Sequence, residues 1–372
     1  FSVSERRLSA QALALNEQRY APNIKNVVTA DEFGDIGEGN IAEFVKFIPG
    51  VSADYSANVG IGISIRGLPG STTIVTVDGS DVASAAMAPD GSPTRAVGLE
   101  ALRLNNISRI EVTKVPTPDQ PANAMGGSVN VISRNAFERR NPQLTARVFT
   151  TFNSRSFGTT KLDKRTGSRP ELSARPLQPG FRFAYERPVN KSFAYTVSGG
   201  SAVRNYQYRS ASTPWNTSTN VLSGAEISAQ EQLYRATDIA FGAEWRISDA
   251  HALRASLLYV DNVSYVSRNR LNIEFGAAAT GGANFVQGAP AGNGLVEMGN
   301  PTPAQNNSKT VQVNLGYYFQ VGAWKLEADG YVSRSRSAGR GVDQGFFNRV
   351  DLDIPDLVIR GDGLHTGLPA SP

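Results

Sequence analysis

The chain has 372 residues, a formal net charge of +4 and no cysteine. Its arginines are spread along the sequence and are not clustered on one run, so there is no nucleic-acid footprint. The lack of thiols excludes disulfides, thiolate metal sites and a cysteine nucleophile. No apolar run approaches the ~18 residues of a spanning helix, so an inner-membrane helical protein is not expected.

The first 26 residues are polar and irregular, which predicts an extended N-terminal segment, with ALALNEQR as the stretch that could form a helical turn or two. A helix is predicted from Gly39 to Phe47, because four apolar residues fall at helical spacing on one face. These four residues are Ile41, Phe44, Val45 and Ile48. Pro49-Gly50 ends the helix, since proline cannot continue the hydrogen-bond ladder and glycine accepts a helix-exit geometry.

The stretch from Gly60 to Arg134 is glycine-rich and contains short β-branched runs. They are GIGISIRG, TIVTVDG, ISRIEVTKVPTP and MGGSVNVISR. Such runs between Gly, Pro and Asn predict small strands joined by tight turns, here at Leu68-Pro69-Gly70 and Asp78-Gly79. Residues 27–138 are therefore expected to form a compact α+β domain with little helix.

Residues 139–372 show a different sequence pattern, because apolar and polar residues alternate over several long runs. Phe181, Phe183 and Tyr185, for example, alternate with polar or small residues. Seven strands are predicted, joined by short turns at one end and by long polar loops (154–180, 205–235 and 262–308) at the other, which is typical of an outer-membrane β-barrel. A soluble β-sandwich also alternates, but the strict alternation of loop length favours the barrel.

Aromatic residues cluster near the predicted short turns, where an interfacial girdle belongs. They are Tyr185, Phe193, Trp245, Phe319 and Trp324. Seven strands cannot enclose a domain of about 110 residues, which needs a lumen of roughly the 22-stranded size. The sequence is therefore expected to be a fragment, with further barrel strands after residue 372.

Six segments together resemble the plug domain of TonB-dependent outer-membrane receptors. They are VTADEF, NIAEFVKFIPGVS, ISIRG, IVTVDG, NISRIEVTKVPTPDQPA and GGSVNVISR, in the family's order. The resemblance implies an α+β plug domain inside an antiparallel transmembrane β-barrel in the outer membrane of a Gram-negative bacterium. It also implies TonB with its inner-membrane energising complex, outer-membrane lipid and lipopolysaccharide, and a small nutrient ligand as partners, with residues 1–26 near the TonB box.

The resemblance also implies site residues. Arg66 and Glu111 are expected to form an ion lock with the barrel wall or with each other, the alternative being a surface ion pair of little value. The plug's structural glycines are Gly67, Gly79, Gly126 and Gly127. Ligand contacts are expected in the apical loops 54–60 and 80–95, although a solvated loop is the alternative; the candidates are Tyr55, Asn58, Asp81, Met87, Asp90 and Arg95.

The function implied is energy-coupled import of a scarce nutrient, with no enzymatic activity and no cofactor. The KVPTPDQPA variant resembles a subgroup linked to carbohydrate uptake and so favours an oligosaccharide. The aromatic and amide groups in the long loops suit sugar stacking and, nearly as well, a catecholate siderophore; they are Tyr206, Tyr208, Trp215 and Asn216. The alternatives are a siderophore receptor, which could also transduce a signal, and a non-transporting adhesin or structural barrel. His251 and His365 stand far apart without metal-ligand spacing, and Asp351, Asp353 and Asp356 do not match a calcium loop.

Overall fold

The computed structural model describes residues 10–29, 41–56, 59–84, 99, 107–116, 123–139, 141–152, 177–218, 220–275, 280–282, 284–288, 294–299, 305–340, 349–354 and 358–363. These residues form a small mixed domain, here called the plug, and a large antiparallel sheet, here called the wall. No helix in this part of the chain is long and apolar enough to cross a membrane.

The plug contains two helices and seven strands. They are α1 Ala10–Tyr20, β1 Lys25–Thr29, α2 Ile41–Val45, β2 Val51–Ser56, β3 Val59–Ile65, β4 Thr73–Val77, β5 Ser80–Asp81, β6 Ile107–Thr113 and β7 Gly127–Ser133. Five strands form one sheet in the order β1-β6-β7-β4-β5, in which only β4 and β7 are parallel, while β2 and β3 form a separate hairpin. The expected α+β architecture is confirmed.

The plug core joins α2 to the hairpin and the sheet. The four apolar residues predicted on one helical face are all buried: Ile41, Phe44, Val45 and Ile48. They belong to the same cluster as Ile63 and Ile65 of β3 and Val129 of β7. Because this core needs no wall residue, apolar burial stabilises the plug as a unit of its own.

The N-terminal segment is not extended throughout, because residues 10–20 form α1. The helix covers the edge of the plug sheet, where the Gln18 side-chain oxygen accepts a hydrogen bond from the Val27 amide at 3.2 Å. An uncovered edge strand would leave such amides unpaired. The apolar periodicity of this segment is weak, so the helix depends on this contact more than on a buried face of its own.

The turn after β3 lies two residues earlier than predicted. Arg66 and Gly67 have φ values of 55° and 76°, and Ile65 pairs with Leu68 across them. This is the geometry of a two-residue hairpin turn. Leu68-Pro69-Gly70 instead leads into a 3-10 turn at Gly70–Thr72. Arg66 is thus an exposed turn residue with a left-handed backbone.

The wall has seven long strands on one continuous path. They are β8 Gln143–Phe152, β9 Leu177–Pro188, β10 Phe193–Ser212, β13 Gly224–Arg246, β14 His251–Glu274, β18 Gln305–Val321 and β19 Trp324–Arg340. The shorter strands are β11 Trp215–Asn216, β12 Val221–Leu222, β15 Thr280–Gly281, β16 Phe285–Gln287, β17 Gly294–Gly299, β20 Arg349–Ile354 and β21 Arg360–Asp362. The strands alternate as a barrel wall requires: the face toward the plug buries polar residues such as Thr196, Ser198 and Gln312, and the opposite face exposes apolar ones such as Val148 and Leu315.

Two of the predicted long loops are shorter than expected. β10 continues to Ser212 and β13 starts at Gly224, so most of 205–235 is strand, and β14 continues to Glu274 within the predicted loop 262–308. The apolar alternation ends near the expected edge of the hydrocarbon layer, but antiparallel hydrogen bonding does not need it. The ladder therefore extends beyond the apolar band into polar sequence.

The aromatic residues near the short turns lie on the outward face. Trp245 pairs with Phe193 across β10 and β13, and Phe319 pairs with His251 across β14 and β18. Trp324 is 80% exposed on the protein surface. This arrangement fits an interfacial girdle.

We predict that Gly127→Ala destabilises the plug more than Gly67→Ala. Both glycines have positive φ, but a Cβ at Gly127 would lie 2.5 Å from the Thr113 carbonyl oxygen, whereas none of the described atoms lies within 4 Å of a Cβ at Gly67. Gly67→Ala should lower the free energy of unfolding by about 1 kcal/mol through backbone strain alone. Gly127→Ala should lower it by about 2–4 kcal/mol, because the steric overlap of its Cβ with the Thr113 carbonyl oxygen adds to the backbone strain.

The measurement is the urea midpoint of plug unfolding in the membrane-inserted receptor. The sequence contains no cysteine, so a fluorescent label on Ser71→Cys reports on the plug. Equal midpoints for the two alanine variants would contradict the close packing around Gly127.

Candidate functional site

The plug meets the wall at a cluster of charges that we call the seam. It consists of Arg134, Asn135, Phe137 and Arg139 from the end of the plug, with Glu186, Glu244, Arg246 and Arg254 from the wall. All of these wall residues lie toward the short-turn ends of β9, β13 and β14.

Glu186 accepts hydrogen bonds from two arginines on the plug side. Arg134 Nη1 donates to Glu186 Oε1 at 2.9 Å, and Arg139 Nε donates to Glu186 Oε2 at 2.6 Å. The glutamate is only 4% exposed. Because a buried carboxylate is costly unless it is paired, these two contacts allow Glu186 to remain charged on the inward face of the wall.

Glu244 on the neighbouring strand bonds to both the plug and the wall. Asn135 Nδ2 donates to Glu244 Oε2 at 2.7 Å, and Arg254 Nη2 donates to the same oxygen at 3.2 Å. Arg246 Nε donates to the other oxygen at 3.2 Å, and its guanidinium lies 3.9 Å from the centroid of the Phe137 ring. Each carboxylate at the seam therefore has partners on both of its oxygens.

The local fold of residues 135–139 presents these groups to the wall. The Asn135 side-chain oxygen accepts the Phe137 amide at 2.9 Å and so begins a 3-10 turn at Ala136–Glu138. Ala136 and Phe137 then pack on Ala194 of β10 in a small buried cluster. The capped turn thus places Arg139, the Asn135 side-chain amide and the Phe137 ring on the side that faces the wall.

A buried carboxylate, Asp78, lies next to the seam. Its Oδ1 accepts the Ser133 amide at 2.9 Å, and it borders a cavity of about 130 Å³ lined also by Arg109, Glu138 and Arg254. Burial raises the pKa of Asp78, although the Ser133 hydrogen bonds and the charges of Arg254 and Arg109 oppose that shift. Burial also raises the pKa of Glu138. The interface therefore holds two carboxylates of raised pKa, Asp78 and Glu138, at one cavity.

A second contact joins the plug to the middle of β19. Tyr331 Oη donates to Asp81 Oδ2 at 3.3 Å, and the Ala83 amide donates to Ser333 Oγ at 2.8 Å. Asp81, predicted as a ligand residue, thus also touches the wall.

The other predicted ligand residues are only partly described. Tyr55 is 47% exposed in the β2–β3 hairpin. Asn58, Met87, Asp90 and Arg95 lie outside the described residues. Of the apical loops, the structure describes the stem of one and the first residues of the other.

Among the described residues, the ion pairs of Glu111 stay inside the plug. Lys25 Nζ lies 2.6 Å from Glu111 Oε2, and Arg109 Nε lies 3.0 Å from Oε1. Arg66 makes no ion pair with any residue in the described ranges and points from an exposed turn. Within the described ranges, Arg134 and Arg139 make the ion pairs with the wall instead, because Glu111 lies on β6 beside the edge strand β1, away from Glu186. The contact of Arg66 and Glu111 with the barrel wall as a whole stays a prediction.

The four predicted glycines serve different backbone needs. Gly67, Gly79 and Gly127 have positive φ, while a Cβ on Gly126 would lie 2.5 Å from Thr72 Oγ1. Gly79 forms the hairpin turn with Asp78, and its amide donates to the Asn130 side chain at 2.9 Å. This turn also fixes the position of the Asp78 carboxylate.

Sequence reasoning missed the seam. The available signal was an acidic residue on the inward face just before a short turn, at Glu186 and Glu244, together with basic residues just after the plug's last strand. No spacing rule joins them, because the partners are 47 to 109 positions apart.

Residues 17–128 match the model of a family described as the TonB-dependent Receptor Plug Domain. The chain is also similar to a ferric enterobactin receptor mutant from Pseudomonas aeruginosa, with 14% identity and a TM-score of 0.48 over 89% of this chain and 50% of that one. It is similar to a siderophore receptor from Acinetobacter baumannii, with 13% identity and a TM-score of 0.38 over 88% and 59%. No curated protein sequence matches it.

A third similar structure is a ferric citrate transporter in its unliganded form, with 13% identity and a TM-score of 0.39 over 95% of this chain and 62% of that one. The chain thus spans less than two thirds of the length of each of these proteins.

We predict that Glu186→Gln weakens the attachment of the plug. The substitution leaves Arg134 and Arg139 without their shared negative charge, which should cost about 1–3 kcal/mol, given that both arginines are partly exposed. The urea concentration that releases the plug, followed with the Ser71→Cys label, should fall.

Glu327→Gln is the matched control. It removes the same charge near a short turn, but the Lys325–Glu327 pair is solvent-exposed and should contribute less than about 1 kcal/mol. If the two variants release the plug at the same urea concentration, Glu186 does not hold it.

We predict that Asp78→Asn stabilises the plug increasingly as the pH rises. Because burial raises the folded-state pKa of Asp78 above its ordinary value of 3.8, the folded protein binds more protons than the unfolded one, and its stability falls as pH increases through that window. Asparagine can still accept the Ser133 amide and carries no charge. The difference in urea midpoint from the unmodified receptor should therefore widen as the pH rises above the ordinary Asp value of 3.8.

The control is Asp249→Asn, which removes a carboxylate from an exposed turn of the wall instead of from the plug. A difference for Asp78→Asn that does not change with pH would show that the ionisation of Asp78 is not coupled to plug stability.

Proposed function

The chain is a member of the TonB-dependent receptor family, and on that premise we propose that it belongs to an outer-membrane importer whose plug TonB moves to admit a scarce nutrient. The receptor would lie in the outer membrane of a Gram-negative bacterium, in contact with lipid and lipopolysaccharide. TonB, driven by its inner-membrane energising complex, would act on the N-terminal segment. Import of this kind is transport and requires no enzymatic step.

The observation that supports this proposal best is the way the plug is held. Its apolar core is its own, whereas its described contacts with the wall are mostly hydrogen bonds and ion pairs at the seam and at β19. Polar contacts at an interface can be exchanged for water at a small net cost, so a pull could release or remodel the plug without exposing a large apolar surface. An adhesin or a static barrel has no need of a detachable interior domain.

The ligand would bind on the face opposite the seam. We place it at the apical loops 54–60 and 80–95, with Tyr55, Asn58, Asp81, Met87, Asp90 and Arg95 as contacts. Tyr55 supports this placement because it is exposed in the β2–β3 hairpin, whereas Asp81 lies three residues after Asp78, whose side chain borders the seam. Oligosaccharide and siderophore both remain candidate substrates for these groups.

The experiment compares uptake in four strains. Cells with and without the receptor, each with and without functional TonB, are grown under iron limitation on single siderophores and, separately, on single oligosaccharides as the carbon source. We expect one nutrient whose uptake requires both the receptor and TonB.

Uptake that requires the receptor but not TonB would overturn the energy-coupled mechanism. Surface attachment without any uptake defect would instead favour the adhesin. In a periplasmic signalling receptor, deletion would alter gene expression in response to the nutrient while TonB-dependent uptake persisted.

A further inference from the structure

A positively charged side chain lies on the outward face of the wall, at the level of the aromatic girdle. Arg187 is exposed and stands one residue before Pro188, where β9 ends. Because its neighbour Glu186 faces the plug, Arg187 projects from the opposite face of the strand. In the described strands, the other lysines and arginines of this face lie far from the short turns, as Arg235 and Arg334 do.

The described partners of this guanidinium are two tyrosines on the same face. Tyr195 of β10 is the register partner of Arg187, and Tyr185 lies two residues earlier on β9. The guanidinium interacts with the hydroxyl groups of both tyrosines, whose rings are arranged edge to face with their centroids 6.0 Å apart. Because no carboxylate of the described residues contacts Arg187, its positive charge lacks a counter-charge on this part of the wall.

The depth of these groups matches the level of lipid head groups. Phe193 and Trp245, which are register partners in the girdle, lie next to Tyr195 toward the short turn. Aromatic girdles mark the membrane interface, and the short turns of such barrels lie on the periplasmic side. Farther from the turn the outward face is apolar, with Leu144 and Phe181 exposed. This surface suits an acyl chain attached to a head group at the guanidinium.

We propose that Arg187, Tyr185 and Tyr195 bind the phosphate of a phospholipid in the periplasmic leaflet, so that the receptor holds one lipid at a fixed place on its outer surface. The planar guanidinium presents paired donors that match phosphate oxygens. Each tyrosine hydroxyl can accept from the guanidinium and donate its own hydrogen to the same phosphate. This inference rests on the proposed outer-membrane location.

The test measures lipid binding to the full-length receptor by native mass spectrometry, after purification in detergent and removal of bound lipid. The probes are phosphatidylglycerol, phosphatidylethanolamine, a diacylglycerol with the same acyl chains, and glycerol 3-phosphate. Diacylglycerol lacks the phosphate, and glycerol 3-phosphate lacks the acyl chains. We expect both phospholipids to bind about fivefold or more tighter than diacylglycerol, and glycerol 3-phosphate not to bind.

Variants test the three side chains. Arg187→Gln should lower the affinity for phosphatidylglycerol about fivefold, to that of diacylglycerol, and Tyr195→Phe, which keeps the ring, should lower it about twofold. The control is Arg235→Gln, which removes an exposed guanidinium from the far end of the same face and should leave the affinity unchanged. Because Arg187 is exposed, its substitution should not impair folding, which heat-modified migration in gel electrophoresis checks for each variant.

The outcomes separate this inference from the proposed function. Equal binding of phosphatidylglycerol and diacylglycerol, or unchanged affinity in Arg187→Gln, would overturn the phosphate site. An equal loss in Arg235→Gln would also overturn it, because general charge attraction would then explain the binding, and so would tight binding of glycerol 3-phosphate. TonB-dependent uptake would stand in all of these cases. A receptor that stays soluble without detergent would instead overturn the outer-membrane location itself.

Discussion

The structure depends most on two buried carboxylates of the wall. Glu186 and Glu244 lie on an inward face where an unpaired charge would be costly, and residues at the end of the plug supply their partners. The wall therefore requires a particular segment of the plug at one end, and the plug is positioned by that requirement. Among the described residues, a few polar groups and the small apolar cluster of Ala136, Phe137 and Ala194 determine where the plug and the wall meet.

The main helices and strands could be predicted from the sequence because each is indicated by a pattern among neighbouring residues. The apolar face of α2 follows helical spacing, and each wall strand alternates with period two, so the core of the plug and the two faces of the wall follow directly. The aromatic girdle could be located in the same way. These features need only the properties of neighbouring residues.

The remaining features depend on tertiary contacts. The seam joins residues far apart in sequence, and α1 depends on a hydrogen bond from Val27 to Gln18. The turn at Arg66 and Gly67 was misplaced because Leu68-Pro69-Gly70 is the stronger composition signal, although the next two-residue turn, Asp78-Gly79, was found. Wall strands continue past the end of the apolar alternation because antiparallel backbone hydrogen bonds do not require apolar side chains.

The position of β1 at the edge of the plug sheet determines the order in which the domain could come apart. A force applied at the N-terminal end would first meet α1 and then β1, which has only β6 as a neighbour. Removing β1 would take Lys25 away from Glu111 while Arg109 stays beside it. The seam lies at the other end of the domain sequence, so residues 134–139 would still anchor the chain to the wall after β1 had come away.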